Sequence, residues 1–291
     1  MEREYTLGLY EKSMPSDLSW EQKMLSAKEA GFDYIEISID ETDAKLARLD
    51  MSKEERLELV RLMMVTGVPI RSMCLSGHRK YPLGSNDPEV EKRGMEIMEK
   101  AIQLAEDLGI RIIQLAGYDV YYEESSFETK KRFLKNLKKA THMAEKAGVV
   151  LGFETMETEF MNTVEKAMKY TTLVDSPYLN VYPDIGNITN AAIEYKNDVL
   201  EDMMIGKGHL CAMHLKETVP GKFREIPFGT GHVNFKEAID LAWQLGIRKY
   251  VTEFWYVGNE NWKEDLVFAH DMFEKMLDEQ MTGKDEKNVE S

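Results

Sequence analysis

The sequence predicts a single closed (β/α)8 TIM barrel, an α/β fold, spanning residues 1–281. Three observations predict it. One unit, an amphipathic helix closed by Gly and followed by a short apolar strand, recurs along the chain and forces parallel strands. The strands number eight, and 291 residues suit one barrel of that size. The alternative, an open doubly wound sheet, lacks support because no Gly-x-Gly-x-x-Gly follows the first strand.

The strands are expected at 6–10, 34–38, 70–75, 112–116, 149–154, 179–184, 210–214 and 250–253. Most read as nearly continuous apolar runs, as expected where both faces are covered. Between them, Ser19 with Gln22 and Ser52 with Glu55 form capping boxes that start helices. Asp87-Pro88 starts the next, with Pro at the first helical position. That helix places Val90, Ile97, Met98, Ala101, Ile102, Ala105 and Leu108 on one face, and Phe133, Leu137, Ala140 and Ala144 do the same in the following one. Gly31, Gly67, Gly109, Gly148 and Gly246 each separate a helix from a strand. Residues 282–291 are polar and charged and are expected to be a disordered tail.

The 37 basic and 52 acidic residues give a net charge of −15, which disfavours nucleic acid and anionic membranes as partners. Cys74 and Cys211 cannot make a disulfide framework, and together with an N-terminus lacking an apolar signal core they predict a cytoplasmic protein. No apolar run approaches the roughly 20 residues of a membrane helix. The 19 methionines are scattered over helix faces and strands and read as core filling.

In such a barrel the chemistry sits at the C-terminal ends of the strands. Four successive apolar runs end there in Glu154, Asp184, His214 and Glu253. Any one of them alone is an ordinary helix cap or loop acid. Together, three carboxylates and an imidazole in a semi-buried site repel one another unless a cation lies among them. Mixed oxygen and nitrogen ligands suit one divalent metal ion: Mn, Mg, Co or Zn. A 2-ketose carries an acidic proton at C3, more acidic still when a metal polarises its carbonyl. Glu154 and Glu253, three strands apart in a ring of eight, are expected to flank such a substrate.

The stretches Gly152-Phe153-Glu154-Thr155-Met156, Tyr182-Pro183-Asp184-Ile185-Gly186-Asn187, His214-Leu215-Lys216-Glu217-Thr218 and Glu253-Phe254-Trp255 resemble the xylose-isomerase-like barrel superfamily. Within it the chain resembles the L-ribulose-5-phosphate 3-epimerases (also called L-xylulose-5-phosphate 3-epimerases) of pentose and ascorbate catabolism. Leu7 to Lys12, Cys74 to Ser85 and Pro227 to Gly231 sharpen the match, which runs from about Tyr5 to about Met276. The resemblance implies that Glu154, Asp184, His214 and Glu253 bind one divalent metal and that the two glutamates are the acid/base pair. Relatives acting on free ketohexoses place a substrate-contacting His where this chain has Asn187. DNA-repair relatives of the superfamily need more ligands and a DNA surface, which the charge disfavours.

The expected substrate is therefore a small-molecule sugar phosphate, bound by His78, Arg79, Lys216 and Asn187, with Arg224 a further candidate. His142, His209 and His270 fall on or beside helices and are expected to take no part, while His232 lies in a Gly-rich loop. Trp255, Tyr256 and Trp262 supply the aromatic surface for a homodimer or, for Trp255, a wall against the sugar. The expected reaction is inversion at C3 of a ketopentose 5-phosphate through an enediolate. An aldose–ketose isomerase and a non-catalytic sugar-phosphate-binding barrel are the rival readings.

Overall fold

A computed structural model describes the backbone of residues 3–289 and the side chains of residues 3–282. Eight parallel strands follow one another in chain order: β1 Thr6–Tyr10, β2 Tyr34–Ile39, β3 Ile70–Leu75, β4 Ile112–Ala116, β5 Val150–Glu154, β6 Leu179–Tyr182, β7 Met213–Leu215 and β8 Lys249–Thr252. The ladder runs β6-β5-β4-β3-β2-β1-β8-β7. Two parallel bridges, Val181 to Leu210 and Asp184 to His214, join β6 to β7 and close the ring. The predicted barrel is thus present.

Helices α1 (Trp20–Glu29), α2 (Asp43–Leu46), α3 (Lys53–Thr66), α4 (Pro88–Leu108), α5 (Phe127–Ala147) and α6 (Val164–Val174) cover the first five strands. Helices α7 (Ile185–Tyr195), α8 (Val199–Ile205), α9 (Phe235–Gln244) and α10 (Trp262–Val289) complete the shell. The capping boxes at Ser19 and Ser52 form as predicted. So does the Asp87 cap, with Pro88 in the first turn of α4. Gly109 and Gly148 end α4 and α5 in left-handed conformations (φ 74° and 65°), where a Cβ would be strained. The range of α10 reaches Val289, across most of the segment expected as a tail, and residues 290–291 lie outside the described residues.

The core has two layers. Outside the strands, residues such as Leu7, Ile37, Met98, Leu137 and Phe273 pack strand backs against helices. Inside, a smaller cluster of Tyr10, Tyr34, Cys74, Ile112, Tyr182 and Val251 fills the barrel. Gly8 makes room for it, since a Cβ there would lie 2.5 Å from the Tyr34 ring.

Past β1, Glu11 is buried against Lys23 (2.8 Å), Lys45 (2.6 Å) and Arg48 (2.5 and 2.7 Å). Burial would raise its pKa, but these cations outweigh it and hold the carboxyl well below its usual range. The anchored turn carries Lys12 to the mouth of the barrel.

Candidate active site

Glu154, Asp184, His214 and Glu253 are all buried, and each offers one ligand atom within 4.8 Å of the others. Glu154 ends β5, Asp184 and Glu253 lie two and one residues past β6 and β8, and His214 is the middle residue of the short β7. Asp184 begins α7: its Oδ1 accepts from the Asn187 N–H at 2.9 Å, which leaves Oδ2 for the cluster. Thr155 holds it from β5, its Oγ1 accepting from the Asp184 N–H at 2.9 Å.

His214 has two faces. Its Nδ1 lies 3.1 Å from Glu154 Oε1, 3.2 Å from Glu253 Oε2 and 4.0 Å from Asp184 Oδ2. Its Nε2 lies 2.6 Å from Glu36 Oε1, and the Tyr182 hydroxyl donates to Glu36 Oε2 at 3.0 Å. In the neutral ring, a proton on Nε2 held by Glu36 would leave the Nδ1 lone pair facing the three acids. Glu36 went unselected in the sequence. The signal was an acid in the middle of Tyr34-Ile35-Glu36-Ile37, fully buried in the structure. Gln114 also donates to Glu154 Oε2.

Four buried carboxylates here face one imidazole and one lysine. Lys216 Nζ is 2.5 Å from Asp184 Oδ2 and 3.5 Å from Glu253 Oε2. Asp184 Oδ2 and Glu253 Oε2 nevertheless accept no hydrogen bond of good geometry. Burial first, and then the charge of Glu253, raise the Glu154 pKa. Burial also raises Asp184 well above its ordinary value, despite Lys216. At Glu253 burial is outweighed by Lys216 and His214, which hold it well below. Burial would depress His214, but Glu36 and Glu253 lift it well above. The excess of buried negative charge, and the convergence of three carboxylates on the His214 Nδ1, fit a divalent cation with three oxygen ligands and one nitrogen.

Around the cluster lies a cavity of about 50 Å³ bordered by Tyr10, Lys12, Cys74, Arg79, Asn187 and Trp255. Phe223 and Arg224, from the loop between β7 and α9, also border it. A larger cavity of about 470 Å³ lies at the other end of the strands, lined by Thr6, Tyr34, Ile70 and Lys249, each the first residue of its strand. Chemistry in this fold belongs at the C-terminal end, so the smaller cavity is the candidate site.

The residues expected to bind substrate are dispersed differently from one another. Arg79 lines the cavity and donates to the Tyr118 hydroxyl at 3.1 Å. Glu157 lies 3.5 Å from both Arg79 and Arg224 and accepts from Tyr118 at 2.7 Å. Asn187 lines the cavity too, with Nδ2 donating to the Thr155 carbonyl and Oδ1 left unpaired. Lys216 sits inside the carboxylate cluster instead of at an outer rim. His78 does not border the cavity: its ring is buried, 3.0 Å from the Gly94 carbonyl, and burial pushes its pKa down to about 4. His232 meets Thr218 at 2.9 Å. Trp255 packs edge-on to Tyr10 with ring centroids 6.0 Å apart, so it walls the pocket. Trp262 is partly buried against the core.

A family model of xylose isomerase-like TIM barrels matches residues 25–272. The chain is 45% identical over 272 residues to L-ribulose-5-phosphate 3-epimerase UlaE of Salmonella paratyphi A, covering 93% of this chain and 94% of that protein. It is 44% identical, with the same coverage, to UlaE of an Escherichia coli O17:K52:H18 strain. A solved structure of L-ribulose 3-epimerase superposes with a TM-score of 0.74 at 18% identity, covering 99% of this chain and 98% of that one. At that identity it shows the shared fold. Among the described residues no helix is long and apolar enough to cross a membrane.

Proposed function

The chain belongs to the L-ribulose-5-phosphate 3-epimerase family of xylose isomerase-like TIM barrels, and from that premise we propose that it inverts C3 of a ketopentose 5-phosphate, interconverting L-ribulose 5-phosphate and L-xylulose 5-phosphate. One observation carries the chemistry: two glutamates from strands three steps apart in the ring meet in one buried cluster with Asp184 and His214. Glu154 is pushed up by burial and by Glu253, while Lys216 and His214 hold Glu253 down. Two carboxyls beside one substrate carbon can serve as proton donor and proton acceptor.

Glu154, Asp184, His214 and Glu253 would hold one divalent ion. When bound, that ion supplies polarisation of the ketone, which acidifies the C3 proton. Glu253 takes that proton in one direction and leaves an enediolate. Glu154 returns a proton to the opposite face. In the reverse direction the two exchange roles, as microscopic reversibility requires. Lys216 favours the ionised form of Glu253 and stands ready to donate to a sugar oxygen. The unpaired Oδ1 of Asn187 accepts from a sugar hydroxyl. Trp255 and Phe223 exclude water from the intermediate. The barrel domain of residues 1–281 is proposed to act in the cytoplasm, and assembly as a homodimer remains part of this reading.

Solvent labelling tests the reaction. In D2O, L-xylulose 5-phosphate should take up deuterium at C3, read carbon by carbon by NMR. An aldose–ketose isomerase would instead label C1 or C2, and a binding barrel would label nothing.

The phosphate is proposed to sit on Arg79, whose Nε is buried without a partner, and on Arg224. Losing one charge-assisted bond costs about 1.5–3 kcal/mol. Arg79→Ala should therefore lower kcat/KM for the phosphorylated sugar by about 10–150-fold. The unphosphorylated ketose should be little affected. Unchanged kinetics with the phosphate ester would place the phosphate elsewhere.

A further inference from the structure

The cavity of about 470 Å³ at the N-terminal end of the barrel has no part in the reaction proposed above. The strands β2 and β3, six residues each, put it roughly 15–20 Å from the carboxylate cluster. Arg71, Arg111 and Lys249 all border it, and none of its lining residues is Asp or Glu. Among the described residues none of these three cations forms a salt bridge. In a chain of net charge −15, three cations gathered without an acid depart from the average surface.

Ser72 is the second, independent observation. It lines the same cavity, is 3% exposed, and its Oγ has no hydrogen-bond partner. A buried hydroxyl left unpaired is unfavourable, and an acceptor in the cavity would satisfy it. The geometry gathers these groups. Ser72 pairs with Ile112 across the β3–β4 ladder, and the Arg111 N–H donates to the Arg71 carbonyl at 3.3 Å. Arg71 adjoins Ser72 on β3, and Arg111 immediately precedes β4 beside it. Apart from Thr6, the remaining walls are mostly apolar or aromatic, among them Tyr34, Val60, Leu108, Ile112 and Tyr182.

We propose that this cavity binds a small phosphate monoester. The phosphate engages Arg71, Arg111 and Lys249 and accepts from Ser72, and the organic part lies on the Tyr34, Ile112 and Tyr182 surface. Three cations without acids suit a dianion better than a carboxylate, and guanidinium groups match phosphate oxygens in pairs. The Tyr182 wall is shared with the active site, since the same side chain donates to Glu36, the partner of His214.

Phenyl phosphate binding to the metal-loaded, full-length protein tests this, measured by titration calorimetry. The double variant Arg111→Ala/Lys249→Ala should bind it at least about tenfold more weakly, because two charge-assisted contacts are lost. Both residues are exposed at strand starts, so turnover of the ketopentose phosphate should be unchanged and confirms folding. Ser72→Ala should weaken binding in the same direction. Arg79→Ala, which disables the proposed phosphate contact at the active site, should leave the phenyl phosphate affinity of this cavity intact. The proposal is overturned if wild-type protein shows no saturable binding at millimolar concentrations, if the rim variant binds normally, or if Arg79→Ala alone abolishes binding. Inorganic phosphate binding as tightly as phenyl phosphate would overturn the ester assignment, since it has nothing to place on the apolar walls.

Discussion

Glu154→Gln and Glu253→Gln are each expected to lower the rate of C3 inversion by about 10²–10⁴-fold, the range for loss of a general acid or base. Gln keeps the volume and the hydrogen-bonding oxygen, so the barrel should remain folded. The two variants should not fail alike. Inversion needs one proton removed and another delivered to the opposite face, so each loss stops net epimerisation. Exchange alone needs only one carboxylate. In D2O each single variant should still wash deuterium into the epimer whose face retains its glutamate, provided the metal is held. Metal content must be measured in parallel, because both residues belong to the same cluster. Epimerisation at the wild-type rate in either metal-loaded variant would remove that glutamate from the acid/base pair. Label confined to C1 would favour the isomerase.

Much of this site was legible because barrel geometry maps strand ends onto one rim. Glu154, Asp184, His214 and Glu253 each terminate an apolar run, and the structure brings all four together. Strand limits were less legible for identifiable reasons. The run 179–184 stops as a strand at Tyr182, because Pro183 has no N–H for the ladder and Asp184 turns to cap α7. The run 210–214 shrinks to Met213–Leu215, since β6 reaches β7 only through single bridges.

Long-range partners were invisible. Glu36 and His214 are 178 residues apart, and nothing local marks one as the other's support. Arg79, Tyr118 and Glu157 likewise meet only in three dimensions. His78 and Arg79 are adjacent in sequence and each is a candidate for the phosphate. They lie in a short 3-10 turn, Ser76–Arg79, where successive side chains point about 120° apart. Arg79 therefore enters the cavity while His78 turns back to α4. The aromatic residues after β8 were open to two readings, and the structure uses Trp255 as a pocket wall.

Glu36→Gln is expected to weaken binding of a divalent ion such as Mn by about 10–100-fold without touching any of the four ligands. The argument starts from the His214 ring. Its Nδ1 faces three carboxylates and its Nε2 faces Glu36 at 2.6 Å. The Glu36 charge holds the proton on Nε2 and makes Nδ1 a better donor to a cation. Gln can still accept from Nε2 through its one oxygen, with its amide donating to the Tyr182 hydroxyl, but it brings no charge, so ring orientation survives while donor strength falls. A pH dependence follows. In the metal-free protein, Glu36 and Glu253 lift the His214 pKa well above its ordinary value, overcoming burial. A cation must displace that proton from Nδ1, so wild-type affinity should rise with pH until His214 is neutral without the metal. Removing the Glu36 charge lowers the His214 pKa, so in Glu36→Gln this rise should level off at lower pH. Competition against a fluorescent chelator across a pH series measures both effects. An affinity and a pH profile identical to wild type would show that the Glu36 carboxylate does not support the ligand.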